Sequence, residues 1–213
     1  MLKIEKFIPK EFAANNYLLY NEETKNAVLF DPSGCYTEVT NFVKAKNLNL
    51  ISIIVTHAHF DHIGDIRSYR DNFQNIKTYM PKADKVLYDN LKMQCDLFGV
   101  RRVKEFAVDE FIDENSKLYI DELQIKIIST PGHTIGSTCY LAGDFLISGD
   151  TLFYEEIGRC DLPTGSFSDI CSSIKEKLFY LNDNIKVFPG HGENTDIAHE
   201  KEFNAYFGLK SKY

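Results

Sequence analysis

The chain has no tryptophan, only six prolines among its 213 residues, and fewer positive than negative side chains, 24 Lys and Arg against 31 Asp and Glu. Each shortage removes a class of protein. The cysteines, Cys35, Cys95, Cys139, Cys160 and Cys171, are odd in number, scattered and never spaced C-x-x-C, which excludes a disulfide framework and a zinc ribbon and leaves ordinary reduced thiols. A net charge of −7 argues against a surface that tracks phosphates, so no nucleic-acid partner is expected. No apolar run approaches the ~18 to 20 residues that cross a bilayer, and the opening MLKIEKFIPKEF lacks the apolar core of a signal peptide. A cytoplasmic protein without a membrane partner is the expectation. Repeats and low-complexity linkers are also lacking, and 213 residues with 44% apolar content can bury a core, so a single domain over 1–213 is expected.

What is present is a regular succession of elements. Runs rich in β-branched and aromatic residues predict strands at 2–8, 15–20, 26–31, 50–56, 117–129, 137–148 and 185–188. Helical spacing predicts helices near 36–47, 62–72, 82–95, 167–181 and 197–207, with Ser166 or Ser168 capping the fourth. Each half begins with strands and ends with helix, the order of a layered α/β protein with two sheets.

The densest chemistry is THAHFDHIGD, residues 56–65, with three of the six histidines and two aspartates. His57 and His59 follow the apolar run LISIIVT two residues apart, so in extended backbone both rings project to one side. Asp61 and His62 stand at the turn into the next helix. Imidazole with carboxylate is the ligand set of zinc or another divalent first-row metal. With six His and sixteen Asp in the chain, H-x-H-x-D-H arises by accident with a chance of about four in ten thousand. Three further ligand-type residues stand beside glycine at predicted strand ends: His133 in STPGHTIGS, Asp150 in LISGDTLF and His191 in KVFPGHGENT. Small neighbours there let backbone approach a crowded centre. The sixth histidine, His199, falls in the helical stretch IAHEKEFNAYF and is assigned to a solvated or packed face.

The ordered set THAHFDH, PGHTIGS, SGDTLF and PGHGENT resembles the metallo-β-lactamase-fold hydrolase superfamily over residues 2–208. The run GDTLFYEEIGRCDLPTGS is similar to the short glyoxalase II-like, or hydroxyacylglutathione hydrolase-like, branch. The resemblance implies a four-layered αββα sandwich and two divalent metal ions, zinc first with iron or manganese as alternatives. It places His57, His59 and His133 at one metal, Asp61, His62 and His191 at the other, and Asp150 as the bridge. It also implies thioester hydrolysis by a metal-bridging hydroxide, with no nucleophile from the protein and with Asp61 orienting the water. Consistently, no G-x-S-x-G elbow occurs.

Asp31, ending NAVLFD before Pro32, matches a position that supports the histidine loop, and an Asp-Pro turn is the alternative. Tyr154 and Arg159 are candidates for binding substrate, with an Arg159–Asp161 ion pair as the competing account. The expected partner is a small-molecule thioester. Full-length glutathione thioesterases add a helical domain, and only 22 residues follow His191, so loose recognition of the thiol is expected. A mononuclear-iron persulfide dioxygenase and an acyl-homoserine lactone hydrolase are the alternatives that share these motifs.

Overall fold

The computed structural model describes residues 1–10, 13–100 and 103–209. Two compact units emerge, Met1–Ile112 with Tyr119–Glu122, and Asp113–Leu118 with Leu123–Tyr213. The first contains strands β1 (Leu2–Phe7), β2 (Asn16–Asn21), β3 (Asn26–Phe30), β4 (Asn49–Ile54), β5 (Lys77–Pro81) and β6 (Glu110–Ile112), in one sheet in that order. Its helices are α1 (Tyr36–Ala45), α2 (Phe60–Ile63), α3 (Ile66–Asn72), α4 (Lys85–Asp89) and α5 (Leu91–Phe98), with a 3₁₀ turn at Lys82–Asp84. β1, β2 and β3 run antiparallel as a meander, whereas β3, β4, β5 and β6 are parallel neighbours. Parallel strands are covered on both faces and read as near-continuous apolar runs, as ISII in β4 does. Against them α1 buries Val39 and Val43, four residues apart on one helical face, in a core with Leu18, Leu29, Ile53, Ile66 and Met80.

A second sheet, ordered β14-β13-β10-β9-β8-β7, is formed by β7 (Leu118–Ile120), β8 (Leu123–Ser129), β9 (Thr138–Ala142), β10 (Phe145–Gly149), β13 (Lys186–Pro189) and β14 (Thr195–Asp196). β11 (Leu152–Phe153) and β12 (Glu156–Ile157) make a separate ribbon, and the helices are α6 (Phe167–Ser173) and α7 (Ile197–Phe203). Ser166 caps α6 by accepting from the Asp169 N–H. After Ser173 the helix widens into a π-turn, Ile174–Leu178. Its i→i+5 bonds hold residues four apart closer to one face than an α-turn does, and Ile170, Ile174 and Leu178 are all fully buried there.

The structure corrects the predicted boundaries in physical terms. The strand expected at 117–129 is two, because Asp121 takes a left-handed φ of 53° and its carboxylate accepts from Asn21, Thr24 and Asn26. That expected at 137–148 breaks at Gly143, φ 59°, which turns β9 into β10. The helices expected at 62–72 and 82–95 are each divided into short pieces. β5 and β6 carry no clear alternation and went unpredicted.

Candidate metal centre

Strand pairing explains where the donors stand in each unit. In the first, β3 and β4 are parallel with Phe30 opposite Ile54, so both chains leave the sheet at the same edge. Asp31 emerges beside Thr56 and takes φ 49°, a conformation that costs a non-glycine residue free energy and is held here by bonds. Its Oδ1 accepts from the Thr56 N–H at 2.7 Å, and its Oδ2 from the Thr56 hydroxyl at 2.6 Å and from His62 Nδ1 at 2.9 Å. Asp31 thus sits against the histidine loop, bonded to Thr56 and His62.

These bonds assign the tautomers. The Thr56 hydroxyl donates to Asp31, so it accepts from His57 Nδ1, 3.1 Å away, and the His57 lone pair resides on Nε2. His62 Nδ1 donates to Asp31, which places its lone pair on Nε2 as well. His57 Nε2 lies 3.1 Å from His59 Nδ1. That separation is close to the roughly 3.3 Å edge of a tetrahedron built on metal–nitrogen bonds of ~2.0 to 2.1 Å. The pair meets at a bend, since β4 ends at Ile54 and the chain is not extended through Thr56 and His57. One turn of helix, α2, with His59 at its N-cap position, then delivers Asp61 and His62. The His62 ring lies 4.0 Å from that of His57, its Nε2 is 3.9 Å from Asp61 Oδ2, and the Ala14 N–H holds the Asp61 carbonyl.

In the second unit β10 and β13 are parallel, Gly149 faces Pro189, and the Gly190 N–H donates to the Gly149 carbonyl at 2.8 Å. Asp150 and His191 therefore leave adjacent strand ends. His133 comes from the connection between β8 and β9, where Gly132 has φ 143° and packs so tightly on Ile170 that a Cβ would fall 2.2 Å from its nitrogen. Asp150 Oδ2 lies 3.5 Å from His133 Nε2 and 3.6 Å from His191 Nε2, one oxygen serving two imidazoles. His133 Nδ1 donates to the Arg159 carbonyl at 2.8 Å, directing its lone pair to Nε2. The loop that supplies this carbonyl passes beneath Asp150 only because residue 158 is glycine, where a Cβ would meet the Asp150 carbonyl oxygen at 1.8 Å.

Within the first unit His57, His59, Asp61 and His62 lie together, and within the second His133, Asp150 and His191 do, each a cluster of the His and Asp donors that hold metal ions. The donor chemistry fits such an ion, because three of the five imidazoles have their lone pairs assigned to Nε2 by a hydrogen bond at the other nitrogen. A separate cavity of about 650 Å³ in the first unit is lined by Tyr88, Leu91, Cys95, Glu105 and Phe106 among others, and by none of the seven residues of the candidate metal centre.

The remaining candidates stand as follows. The Arg159 guanidinium forks onto Asp161 at 2.7 and 2.8 Å, and this holds the Asp161 carboxyl down at about 2. Tyr154, 44% exposed, stacks on His199 with centroids 4.9 Å apart, and the Phe203 ring lies tilted against the same imidazole with centroids 4.9 Å apart. His199 is thus on a packed face, with Nε2 3.0 Å from Glu155. Sequence reasoning missed Thr56, Asp84, Gln94 and the fully buried Glu200, whose carboxylate accepts from Thr195, Asn204 and the Glu155 N–H. Only Thr56 left a trace, as the hydroxyl residue directly before the first histidine.

No helix among the described residues is long and apolar enough to cross a membrane. The model of the metallo-beta-lactamase superfamily matches residues 9–191. Hydroxyacylglutathione hydrolase GloC of Haemophilus influenzae is 32% identical over 99% of this chain and 100% of its own length. The probable metallo-hydrolase YqgX of Bacillus subtilis is 34% identical over 91% of this chain and 92% of its own. Among solved structures, the BLEG-1 B3 metallo-beta-lactamase superposes with a TM-score of 0.89 at 32% identity, over 96% of this chain and 99% of that one. ETHE1 from Myxococcus xanthus gives 0.81 at 27%, over 98% and 86%, and TTHA1623 in a di-iron-bound form 0.84 at 26%, over 95% and 100%. The fold and family expected from the four motifs are borne out: this chain is a metallo-hydrolase of the metallo-β-lactamase superfamily.

Proposed function

We propose that the protein is a dinuclear metal-dependent thioesterase acting on S-acyl small thiols, of the hydroxyacylglutathione hydrolase kind. As the family resemblance implies, His57, His59 and His133 would hold one divalent ion and Asp61, His62 and His191 a second, with Asp150 available to both and zinc as the expected metal. The similarity to GloC carries the thioester assignment. That protein is named a hydroxyacylglutathione hydrolase and aligns over its whole length, so the name attaches to a protein without a domain beyond the aligned region. The site residues are compatible with it, since Asp150 Oδ2 lies 3.5 Å from His133 Nε2 and 3.6 Å from His191 Nε2 and would be available to a metal held there.

When bound, two such ions supply an activated water and polarise the acyl carbonyl. The chain's own groups do the rest. Asp31 and the Arg159 carbonyl keep His62 and His133 from turning, which holds the donor constellation rigid. Asp61, bound at its backbone by Ala14 and partly exposed, orients the attacking water from its carboxylate. Tyr154, braced by His199, offers an exposed aromatic face to the thiol portion of the substrate. Arg159 reaches that portion only if it releases Asp161.

The test is hydrolysis of S-lactoylglutathione, followed by loss of the thioester absorbance, in parallel with oxygen uptake on glutathione persulfide and ring opening of an acyl-homoserine lactone. Thioester turnover lost in His57→Ala, His133→Ala and His191→Ala by at least about 10²-fold is the expected result. Oxygen uptake with one iron per chain, or lactone opening without thioester turnover, contradicts the proposal.

A further inference from the structure

Ala58 stands between His57 and His59, and both peptide groups beside its Cα are gripped by side chains from the stretch 82–98. Its N–H donates to Asp84 Oδ2 at 2.8 Å, and its carbonyl accepts from Gln94 Nε2 at 3.0 Å. Both partners are unusual for their positions. Asp84 occupies the N-cap position of α4, where an aspartate ordinarily accepts from its own helix, yet it makes no capping bond and its side chain is fully buried. Gln94 is 7% exposed within α5 and gives its second N–H to the Leu87 carbonyl at 2.9 Å. A flipped amide would set its oxygen against two carbonyls, so the orientation is determined.

These contacts act on particular torsions. Holding the 57–58 peptide plane constrains ψ of His57, and holding the 58–59 plane constrains φ of His59. With Thr56 fixed by Asp31, the backbone that aims both imidazoles is restrained from each side. Both N–H donors of Gln94 and the Ala58 N–H are paired here, and leaving any of these buried donors unpaired would cost about 1–3 kcal/mol.

We infer that Asp84 and Gln94 are positioning residues for metal binding, clamping the Ala58 backbone so that His57 Nε2 and His59 Nδ1 keep the separation two ligands of one ion require. This rests on the ligand assignment proposed above. Neither residue is needed to recognise substrate, so their effect belongs to affinity for the ion and to its coordination geometry.

Cobalt(II) serves as the probe, added to metal-free protein and read by its visible d–d absorption and by competition with a chromophoric chelator. Gln94→Met keeps the volume and removes both donors, and Asp84→Ala removes the acceptor. Each is expected to weaken cobalt binding about 10- to 100-fold, the usual consequence of losing a group that orients a ligand, and to shift the d–d bands. Asp84→Asn retains an acceptor oxygen for the Ala58 N–H and should return affinity to within about threefold of wild type. The Asp84 pair decides the matter if Gln94→Met does not fold. Wild-type cobalt affinity and spectrum in Asp84→Ala or Gln94→Met, with only the melting temperature of the metal-free protein lowered, overturns the clamp, as does Asp84→Asn binding as weakly as Asp84→Ala. Wild-type protein that binds cobalt and hydrolyses no thioester contradicts the proposed function and leaves the clamp standing.

Discussion

Asp31 shows how much one side chain can organise and how little of that is visible in its letter. Its carboxylate orders Thr56 and His62 together, so Asp31→Asn puts an N–H either against the Thr56 N–H or against the Thr56 hydroxyl hydrogen and His62 Nδ1–H. This variant is expected to lose about 10- to 100-fold in metal affinity, measured by chelator competition, while keeping its far-UV circular dichroism. Arg159 offers a contrast. Its partner Asp161 has a folded carboxyl lowered to about 2 by the guanidinium, so any stabilisation by the pair is present above the ordinary carboxylate value near 4 and fades as pH falls toward 2. Arg159→Ala should therefore lower the melting temperature slightly at pH 7 and not at pH 2, with KM for anionic and neutral thioesters changed alike. A KM increase confined to anionic substrates assigns Arg159 to binding instead. The cysteines read as ordinary thiols, and burial pushes Cys35 and Cys139 up to about 11. In the native protein both should resist alkylation at pH 8, by mass spectrometry, and react once it is unfolded.

At the scale of elements, the candidate ligands were legible because they follow strands that end together. Phe30 against Ile54 and Gly149 against Pro189 are parallel pairs, and a ligand or its support leaves each of these strand ends. The sequence shows the apolar runs and the polar residues after them. It does not show which runs are neighbours, and so Asp84 and Gln94 could not be connected with Ala58, 26 and 36 residues away. Boundaries failed where a single residue turns the chain, at Asp121 and Gly143, and β6 was too short to carry a period. Glycine at 158 is the sharpest test of this level. Gly158→Ala forces a Cβ onto the Asp150 carbonyl, and overpacking of this kind costs about 1–3 kcal/mol, roughly 2–12 °C in melting temperature. Metal content should fall with it, since the same loop carries the carbonyl that orients His133.

For the whole molecule, family membership settles fold and reaction class more narrowly than composition did, and leaves the substrate to chemistry. The similar proteins include one named a hydroxyacylglutathione hydrolase, one named a B3 metallo-beta-lactamase and one in a di-iron-bound form, so the shared fold does not by itself choose the substrate. Ions that bind the folded chain and not the unfolded one also stabilise it, by about 2.7 kcal/mol at a hundredfold excess over Kd for each independent site. The most direct test of the account combines elemental analysis of the protein purified without added metal with the S-lactoylglutathione assay on the same sample. The account predicts about two equivalents of a divalent metal, zinc foremost, thioester turnover that disappears with chelation and returns with zinc, and an Asp150→Ala variant depleted at both sites. One iron per chain with oxygen-dependent turnover, or a full metal complement and activity in Asp150→Ala, would contradict it.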